Sequence, residues 1–226
     1  MEERQRSPSS RQFDAVAERL SSPERVIALS DGVFAIVITI LVLEVRIPHN
    51  LTHDTIGDAF AQLRPTLLAW VVSFLLIGMY WVAHRDIFAR VGAVNRDLVW
   101  LNLLFLLPTA LIPFASSVLG EYPQEAKAHL AYGLVLIAVS FMRLIMYWYV
   151  IRHPPLLLEG ALDRHSRQGF VLAGLPIAVY LVAMAVSEAS ATASTLLFLS
   201  VPALYFLVVT IARERGGPES EAEDFS

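Results

Sequence analysis

Residues 25–44 read RVIALSDGVFAIVITILVLE, an apolar run that holds an acidic residue, Asp31, close to its start. A run of this length is close to the roughly 20 residues that a helix needs to cross a bilayer. A carboxylate inside such a helix is costly unless it is paired, so an ionisable residue at this depth indicates a functional or structural site. The stretch therefore predicts a membrane-spanning helix in which Asp31 has a specific partner.

The composition of the whole chain is that of a membrane protein. Of its 226 residues, 56% are hydrophobic and 17% are charged, and the mean hydropathy is +0.57. Soluble domains usually contain roughly 25% charged residues. Cysteine is absent, which excludes disulfides and thiolate metal sites. The basic residues are dispersed and form no patch, so we expect no nucleic-acid partner.

Six apolar stretches are long enough to span a bilayer. They lie at roughly 26–47, 65–84, 98–119, 129–151, 169–187 and 192–212. Ser22 and Pro23 have the character of a helix start, with serine as the N-cap and proline as the first helical residue. Pro108 and Pro113 predict a kink in the second half of the third span. The chain thus predicts an all-α membrane protein with six transmembrane helices.

The arginines are distributed unevenly between the segments that join these spans. The N-terminal tail, the 85–97 and 152–168 loops and the C-terminal end hold Arg4, Arg6, Arg11, Arg19, Arg25, Arg85, Arg90, Arg96, Arg152, Arg164, Arg167, Arg213 and Arg215. The alternate loops hold only Arg46, Arg64 and Lys127. Because basic loops face the cytoplasm, we expect a multi-pass plasma-membrane protein with both termini cytoplasmic.

Three regions follow from this arrangement. We expect a cytoplasmic N-terminal tail at 1–22, a six-helix transmembrane domain at 23–213 and an acidic cytoplasmic tail at 214–226. Both tails are polar, and we expect them to be disordered.

Helical geometry places several residues of the first span on one stripe. At about 100° per residue, a sector about 100° wide contains Gly32, Ile36, Thr39, Ile40 and Leu43. Asp31 points about 140° away from the centre of this stripe, toward a different neighbour. Such a stripe is also typical of a lipid-facing or core-packing surface, and a helical threonine commonly bonds a preceding carbonyl.

Partners for Asp31 are expected on other helices. The candidates share its depth and carry polar groups suited to a network with a carboxylate: Trp81, His84, Asn102 and Ser30. Arg25 lies roughly 120° from Asp31 on the same helix, so we do not expect direct contact. A network of this kind would hold the first three helices together. A tryptophan and a histidine at a span end are also typical of an interfacial belt.

The first span carries the string Arg25-x-x-x-Leu29-Ser30-Asp31-Gly32-Val33-Phe34-Ala35-Ile36-x-x-Thr39-Ile40-Leu41-x-Leu43-Glu44, which resembles the first helix of the transmembrane protein 175 family. Members of that family carry Arg-x-x-x-Phe-Ser-Asp-Gly, so Leu29 departs from the usual phenylalanine. The pair Trp81-x-x-His84 and the six-span length are also similar to the prokaryotic members.

The resemblance implies a potassium-selective leak channel, with potassium as the permeant ion, no cofactor and no enzymatic activity. Prokaryotic members form homotetramers whose first helices line the pore, so the implied partners are other copies of the chain, the bilayer and monovalent cations. The implied constriction consists of Ile36, Ile40 and Leu43, with Thr39 as a ring of hydroxyls. The implied structural network consists of Arg25, Ser30, Asp31, Trp81, His84 and Asn102. A proton leak through the same pore stays open.

Other classes of membrane protein compete with the channel. A small secondary transporter would have its site around Asp31 and His84, but transporters usually show repeated halves and helices broken at mid-membrane. The chain shows neither clearly, apart from the prolines of the third span. A membrane scaffold needs no site, and an intramembrane enzyme needs a nucleophile with a base or a metal cluster. His49 and His53 lie instead in a polar loop, so we expect the channel.

Overall fold

The structure is a computed structural model that describes residues 21–45, 56–158 and 166–215. The described chain is helical. Its helices are α1 Glu24–Ile40, α2 Ile56–Phe88, α3 Arg96–Thr109, α4 Ile112–Glu121, α5 Ala126–Arg152, α6 Ser166–Val186 and α7 Ala191–Arg215, with 3₁₀ turns at Leu41–Glu44 and Pro154–Leu156. Within these ranges there are no β-strands, only isolated bridges that join Ser21 to Val94 and Val91 to Leu157.

Six segments of the described chain are long and apolar enough to cross a membrane. They are Glu24–Glu44, Phe60–Phe88, Arg96–Glu121, Ala126–Arg152, Gly169–Val186 and Ala191–Thr210. The predicted all-α class and the six spans are therefore confirmed. The tail segments at 1–20 and 216–226 and the loop with His49 and His53 lie outside the described residues.

Helix α2 begins well before its predicted start. It runs from Ile56, so Pro65 lies inside the helix instead of at its first turn. Proline lacks an N–H and leaves the carbonyl four residues earlier without its helical partner. That carbonyl belongs to Ala61, an exposed residue. The missing hydrogen bond is therefore tolerated at this end of the helix.

The third span is broken, as its two prolines predict. Helix α3 ends at Thr109 and α4 begins at Ile112. The Leu111 N–H donates to the carbonyl of Pro108 at 3.1 Å, a three-residue step that tightens the chain between the two helices. Pro113 then lies in the first turn of α4, where a missing N–H costs little.

Helix α1 begins one residue later than predicted. Its first residue is Glu24, and Pro23 occupies the flanking position, which was expected for Ser22. The Ser22 hydroxyl accepts a hydrogen bond from the Glu24 N–H at 3.4 Å. The serine therefore still satisfies a free N–H at the helix start.

Buried tyrosines link the helices of the bundle. The Tyr80 hydroxyl on α2 is 2.8 Å from the Ser140 hydroxyl on α5 and 3.0 Å from the Tyr180 hydroxyl on α6. On α2, Ser73 lies 2.7 Å from the Tyr132 hydroxyl of α5. Paired hydroxyls are the usual polar links between helices in an apolar medium. Helix α1 packs against α2, α3 and α4 at one side of this core.

Candidate functional site

Helix α1 has one buried face and one exposed face. The buried residues, spaced three or four apart, are Val26, Ser30, Phe34, Val37 and, in the 3₁₀ turn, Leu41. The predicted stripe lies on the other side. Ile36 is 58% exposed, Ile40 39% and Leu43 68%, and Gly32 and Thr39 are also exposed. A single chain therefore leaves the whole stripe without a covering partner among the described residues.

Thr39 presents an oxygen to the exposed side of α1. Its hydroxyl is 3.0 Å from the carbonyl oxygen of Ala35 and 2.9 Å from that of Ile36, and it donates to these backbone acceptors. A hydroxyl has one proton and two acceptor lone pairs. Because the proton is engaged with the backbone, the lone pairs remain available to a cation or to water.

The stripe changes pitch near its end. Leu43 lies in the 3₁₀ turn Leu41–Glu44, which follows directly on Ile40. In a 3₁₀ turn, side chains three residues apart eclipse one another and lie about 6 Å apart along the axis. The tighter 3₁₀ pitch turns Leu43 toward the line of Ile40, relative to the direction that uniform α-helical geometry predicts. Ile40 and Leu43 form two successive apolar levels on one line.

Three buried polar side chains tie α1 to the second and third spans. The Nε2 atom of His84 lies 2.8 Å from Oδ1 of Asn102, and Nδ2 of Asn102 lies 3.0 Å from the Ser30 hydroxyl. The Ser30 hydroxyl in turn donates to the carbonyl of Val26 at 2.8 Å. An amide oxygen can only accept, so His84 carries a proton on Nε2. The hydrogen bonds therefore run in one direction, from α2 through α3 to α1.

Phenylalanine rings surround the imidazole of His84. The ring centroids of Phe34, Phe88 and Phe105 lie 5.9, 4.6 and 5.5 Å from that of His84. The histidine is only 1% exposed. Sequence reasoning did not single out this enclosure. Its one signal is that Phe34 follows Ser30 by four residues and so shares its face of α1.

Asp31 belongs to a separate contact. Its Oδ1 accepts a hydrogen bond from the Trp81 indole N–H at 2.8 Å. The Arg85 guanidinium lies 5.9 Å from the centroid of the Trp81 ring. Asp31 itself is exposed in the single chain, and its hydrogen-bond partner lies on another helix.

The structure divides the predicted network. Ser30, His84 and Asn102 are joined in one group, and Asp31 with Trp81 forms another. The expectation that His84 donates to Asp31 is wrong, because its Nε2 proton goes to Asn102. Arg25 is exposed and makes no hydrogen bond or ion pair with any other described residue.

The described residues do not include three or more histidine, aspartate or glutamate side chains grouped to hold a metal ion. Asp31 and His84 are near enough to interact electrostatically, but they bond to different partners. The arrangement is that of a helix held firmly on one face, with an apolar stripe and a hydroxyl on the other.

Comparison with known proteins places this geometry in context. The family model described as endosomal/lysosomal potassium channel TMEM175 matches residues 25–113, which include α1, α2, α3 and the start of α4. A potassium channel of Streptomyces collinus is 37% identical over 158 residues, covering 67% of this chain and 77% of that protein. The human endosomal/lysosomal proton channel TMEM175 is 24% identical over 212 residues, which cover 90% of this chain and 40% of the human protein.

A solved structure has the same fold. The crystal structure of a lysosomal potassium-selective channel TMEM175 homolog from Chamaesiphon minutus superposes with a TM-score of 0.71. The match covers 81% of this chain and 96% of that chain, at 29% sequence identity. The similarity therefore extends beyond α1 to the arrangement of the helices.

Proposed function

The chain belongs to the TMEM175 family of channels, and we propose that it is a potassium-selective leak channel with α1 of four subunits around a central pore. The observation that carries the proposal is the exposed stripe of α1, which holds three large apolar side chains and Thr39. Its opposite face is fixed by buried hydrogen bonds.

A second feature supports close packing of α1 against other copies. A row of small exposed residues runs beside the large apolar side chains and consists of Ala28, Gly32 and Ala35. Small residues allow membrane helices to approach closely. A Cβ atom added at Gly32 would meet no described atom within 4 Å, so the space beside it is open in the single chain. In the proposed homotetramer this row faces a neighbouring α1.

The proposed constriction consists of three apolar levels. Rings of Ile36, Ile40 and Leu43 from four subunits would each narrow the pore, and hydrophobic constrictions close by excluding water. The 3₁₀ rise between Ile40 and Leu43 would separate the last two rings by about 6 Å along the pore. Conduction then requires a small dilation that admits water and a partly dehydrated ion.

We assign the preference for potassium over sodium to the cost of removing water from each ion and to the Thr39 hydroxyls. Potassium sheds its water at a lower cost than sodium, so an apolar ring favours potassium. The lone pairs of four Thr39 hydroxyls would replace part of the lost hydration. Protons are included among the permeant ions of the proposal, since the human relative is named a proton channel.

The hydrogen-bonded groups are proposed to position α1. The hydrogen bonds that join His84, Asn102 and Ser30 fix the rotation of α1 about its own axis. This rotation keeps the stripe on the pore side. Trp81 and Asp31 are proposed to hold the N-terminal half of α1 against α2, and Arg25 is the remaining member of the proposed network. We propose a plasma-membrane location with both termini in the cytoplasm, which the arginine distribution supports.

Flux from liposomes tests the function. The purified chain is reconstituted into vesicles loaded with potassium, and parallel vesicles are loaded with sodium. We expect potassium efflux to exceed sodium efflux and to rise linearly with the gradient. Equal fluxes of the two ions would contradict selectivity. Flux that saturates with ion concentration, from a monomeric protein, would favour the transporter with a site around Asp31 and His84.

A further inference from the structure

Arg143 is a buried cation within a membrane-capable helix. It lies in α5 and is only 4% exposed. One of its terminal nitrogens, Nη2, donates to the carbonyl of Leu172 at 2.7 Å. Its Nε–H is buried and has no hydrogen-bond partner among the described residues. Arginine keeps its charge in proteins, and a charge at this position is costly unless it is paired.

The neighbours of Arg143 do not neutralise it. Tyrosine hydroxyls are its electrostatic neighbours, and they belong to Tyr80, Tyr147, Tyr180 and Tyr205. Tyrosine hydroxyls can form hydrogen bonds, but they do not supply the full negative charge of a carboxylate. The described carboxylates include none among these electrostatic neighbours. The guanidinium therefore retains hydrogen-bonding capacity for an anion.

A cavity of about 190 Å³ adjoins this guanidinium. It lies between α2, α5, α6 and α7, and the polar side chains of its described lining are Asp86, Arg90, Arg143, Tyr147 and Tyr205. The volume is many times the roughly 10–15 Å³ that one water molecule needs. Among the described lining residues, two arginines and one carboxylate leave an excess of one positive charge.

Arg90 supplies the second cation at the edge of the cavity. Its side chain is half-buried and makes no hydrogen bond or ion pair with the other described residues. Its backbone is fixed, because its carbonyl accepts a hydrogen bond from the Leu158 N–H at 3.0 Å. Asp86 is engaged by the Tyr205 hydroxyl at 3.2 Å. Arg90 and Arg143 are thus carried by a fixed backbone, and the Asp86 carboxylate is already hydrogen-bonded.

The cavity lies at the arginine-rich ends of the spans. Its lining comes from the last two turns of the second span with Arg90 just beyond it, the second half of the fourth span, the first turn of the fifth and the second half of the sixth. Lipid headgroups occupy this level of a bilayer, and basic pockets between helices bind anionic headgroups there. Guanidinium groups match the geometry of phosphate oxygens.

We propose that this cavity is a binding site for a phosphate group, which Arg143 and Arg90 hold together. The source of the phosphate is either the headgroup of an anionic phospholipid or a soluble phosphate. The site is distinct from the α1 stripe, and its occupancy does not depend on ion conduction.

Native mass spectrometry of the purified full chain tests the site. The probes are phosphatidylglycerol, diacylglycerol as the matching lipid without phosphate, and inorganic phosphate. Arg90→Gln leaves the buried core intact and should weaken binding of the phosphate probe about tenfold, as expected for loss of a charge-assisted contact. Asp86→Asn removes the opposing charge and should strengthen it. Arg152→Gln is the matched control, since Arg152 is exposed, lies on the same helix as Arg143 and does not line the cavity.

The outcomes separate the two sources. Binding of phosphatidylglycerol that depends on Arg90, without binding of inorganic phosphate, identifies a lipid site. Arg90-dependent binding of inorganic phosphate alone identifies a soluble ligand. The proposal would be overturned if each probe bound equally well to the unmodified chain, to Arg90→Gln and to Asp86→Asn. Arg143→Gln is informative only if it folds, and the decision rests on the other two variants.

Discussion

The Oδ1 atom of Asn102 lies 2.8 Å from Nε2 of His84, and its Nδ2 lies 3.0 Å from the Ser30 hydroxyl. One amide therefore satisfies a histidine on α2 and a serine on α1 at the same time. All three side chains are at most 1% exposed, so neither partner can turn to water if the amide is lost. The rotation of α1 about its own axis depends on this side chain more directly than on any charged group of the predicted set.

We expect Asn102→Leu to destabilise the protein without changing ion preference. The change leaves the His84 N–H unpaired in a ring of phenylalanines, and a buried unsatisfied group costs about 1–3 kcal/mol. The measurement is the thermal unfolding midpoint of the purified protein, with the potassium-to-sodium flux ratio alongside. Ser117→Ala is the control, because Ser117 is half-buried and its hydroxyl bonds only within its own helix. An unchanged midpoint with an altered flux ratio would contradict the positioning role.

Asp31 should matter as a hydrogen-bond acceptor for Trp81 more than as a charge. Asp31→Asn keeps an oxygen that can accept from the indole, whereas Asp31→Leu does not. We expect the leucine variant to lower the yield of assembled protein more than the asparagine variant does. Size-exclusion profiles after equal expression measure this yield. A loss as large in the asparagine variant as in the leucine variant would show that the charge itself is required.

Two substitutions of Thr39 separate what its hydroxyl oxygen contributes to ion selectivity from what its side-chain volume contributes. Thr39→Val keeps the volume and removes the oxygen, and Thr39→Ser keeps the oxygen. We expect valine to reduce the preference for potassium over sodium in liposome flux, and serine to retain it. An unchanged ratio in the valine variant would remove the hydroxyl ring from the selectivity mechanism.

A cysteine at position 43 should crosslink between subunits. The chain has no cysteine, so each engineered thiol is the only one per subunit. Leu43 is 68% exposed and stands at the end of the stripe, which in the proposed tetramer faces the pore axis. We expect Leu43→Cys to give disulfide-linked dimers under mild oxidation on a non-reducing gel. Leu181→Cys, 54% exposed on α6, should stay monomeric on the same gel. Dimers of equal amount from both variants would argue against a central α1.

The sequence predicts the stripe on α1 and candidate partners for that helix on other helices, but not which of those residues pair. Helical periodicity alone separates Ile36, Thr39 and Ile40 from the buried face, because both faces lie on one regular helix. The same arithmetic also puts Leu43 on the exposed face, but it does not predict the change of pitch, since no glycine or proline marks the 3₁₀ turn there. The rotation of one helix against another depends on packing between them. For that reason the His84 proton could not be assigned to Asn102 instead of Asp31 from spacing.

Fewer features of the other helices can be predicted from the sequence. The prolines of the third span predict its break, because their effect on the backbone is local. From the sequence, Arg143 can be recognised only as a cation within the fourth predicted span. Its cavity is formed by four helices that are distant in the sequence, and no periodic pattern in any one of them predicts it.

Chemical modification of a cysteine at position 36 tests most directly whether α1 lines the pore. Ile36→Cys and, as the matched control, Leu134→Cys carry one thiol per subunit, at positions 58% and 60% exposed in the single chain. Potassium flux from liposomes is measured before and after a charged, water-soluble thiol reagent is added. If α1 surrounds the pore, the reagent changes the flux of Ile36→Cys and leaves Leu134→Cys and the cysteine-free chain unaffected. Flux of Ile36→Cys that does not respond, with the thiol shown by mass spectrometry to have reacted, would contradict a pore lined by α1.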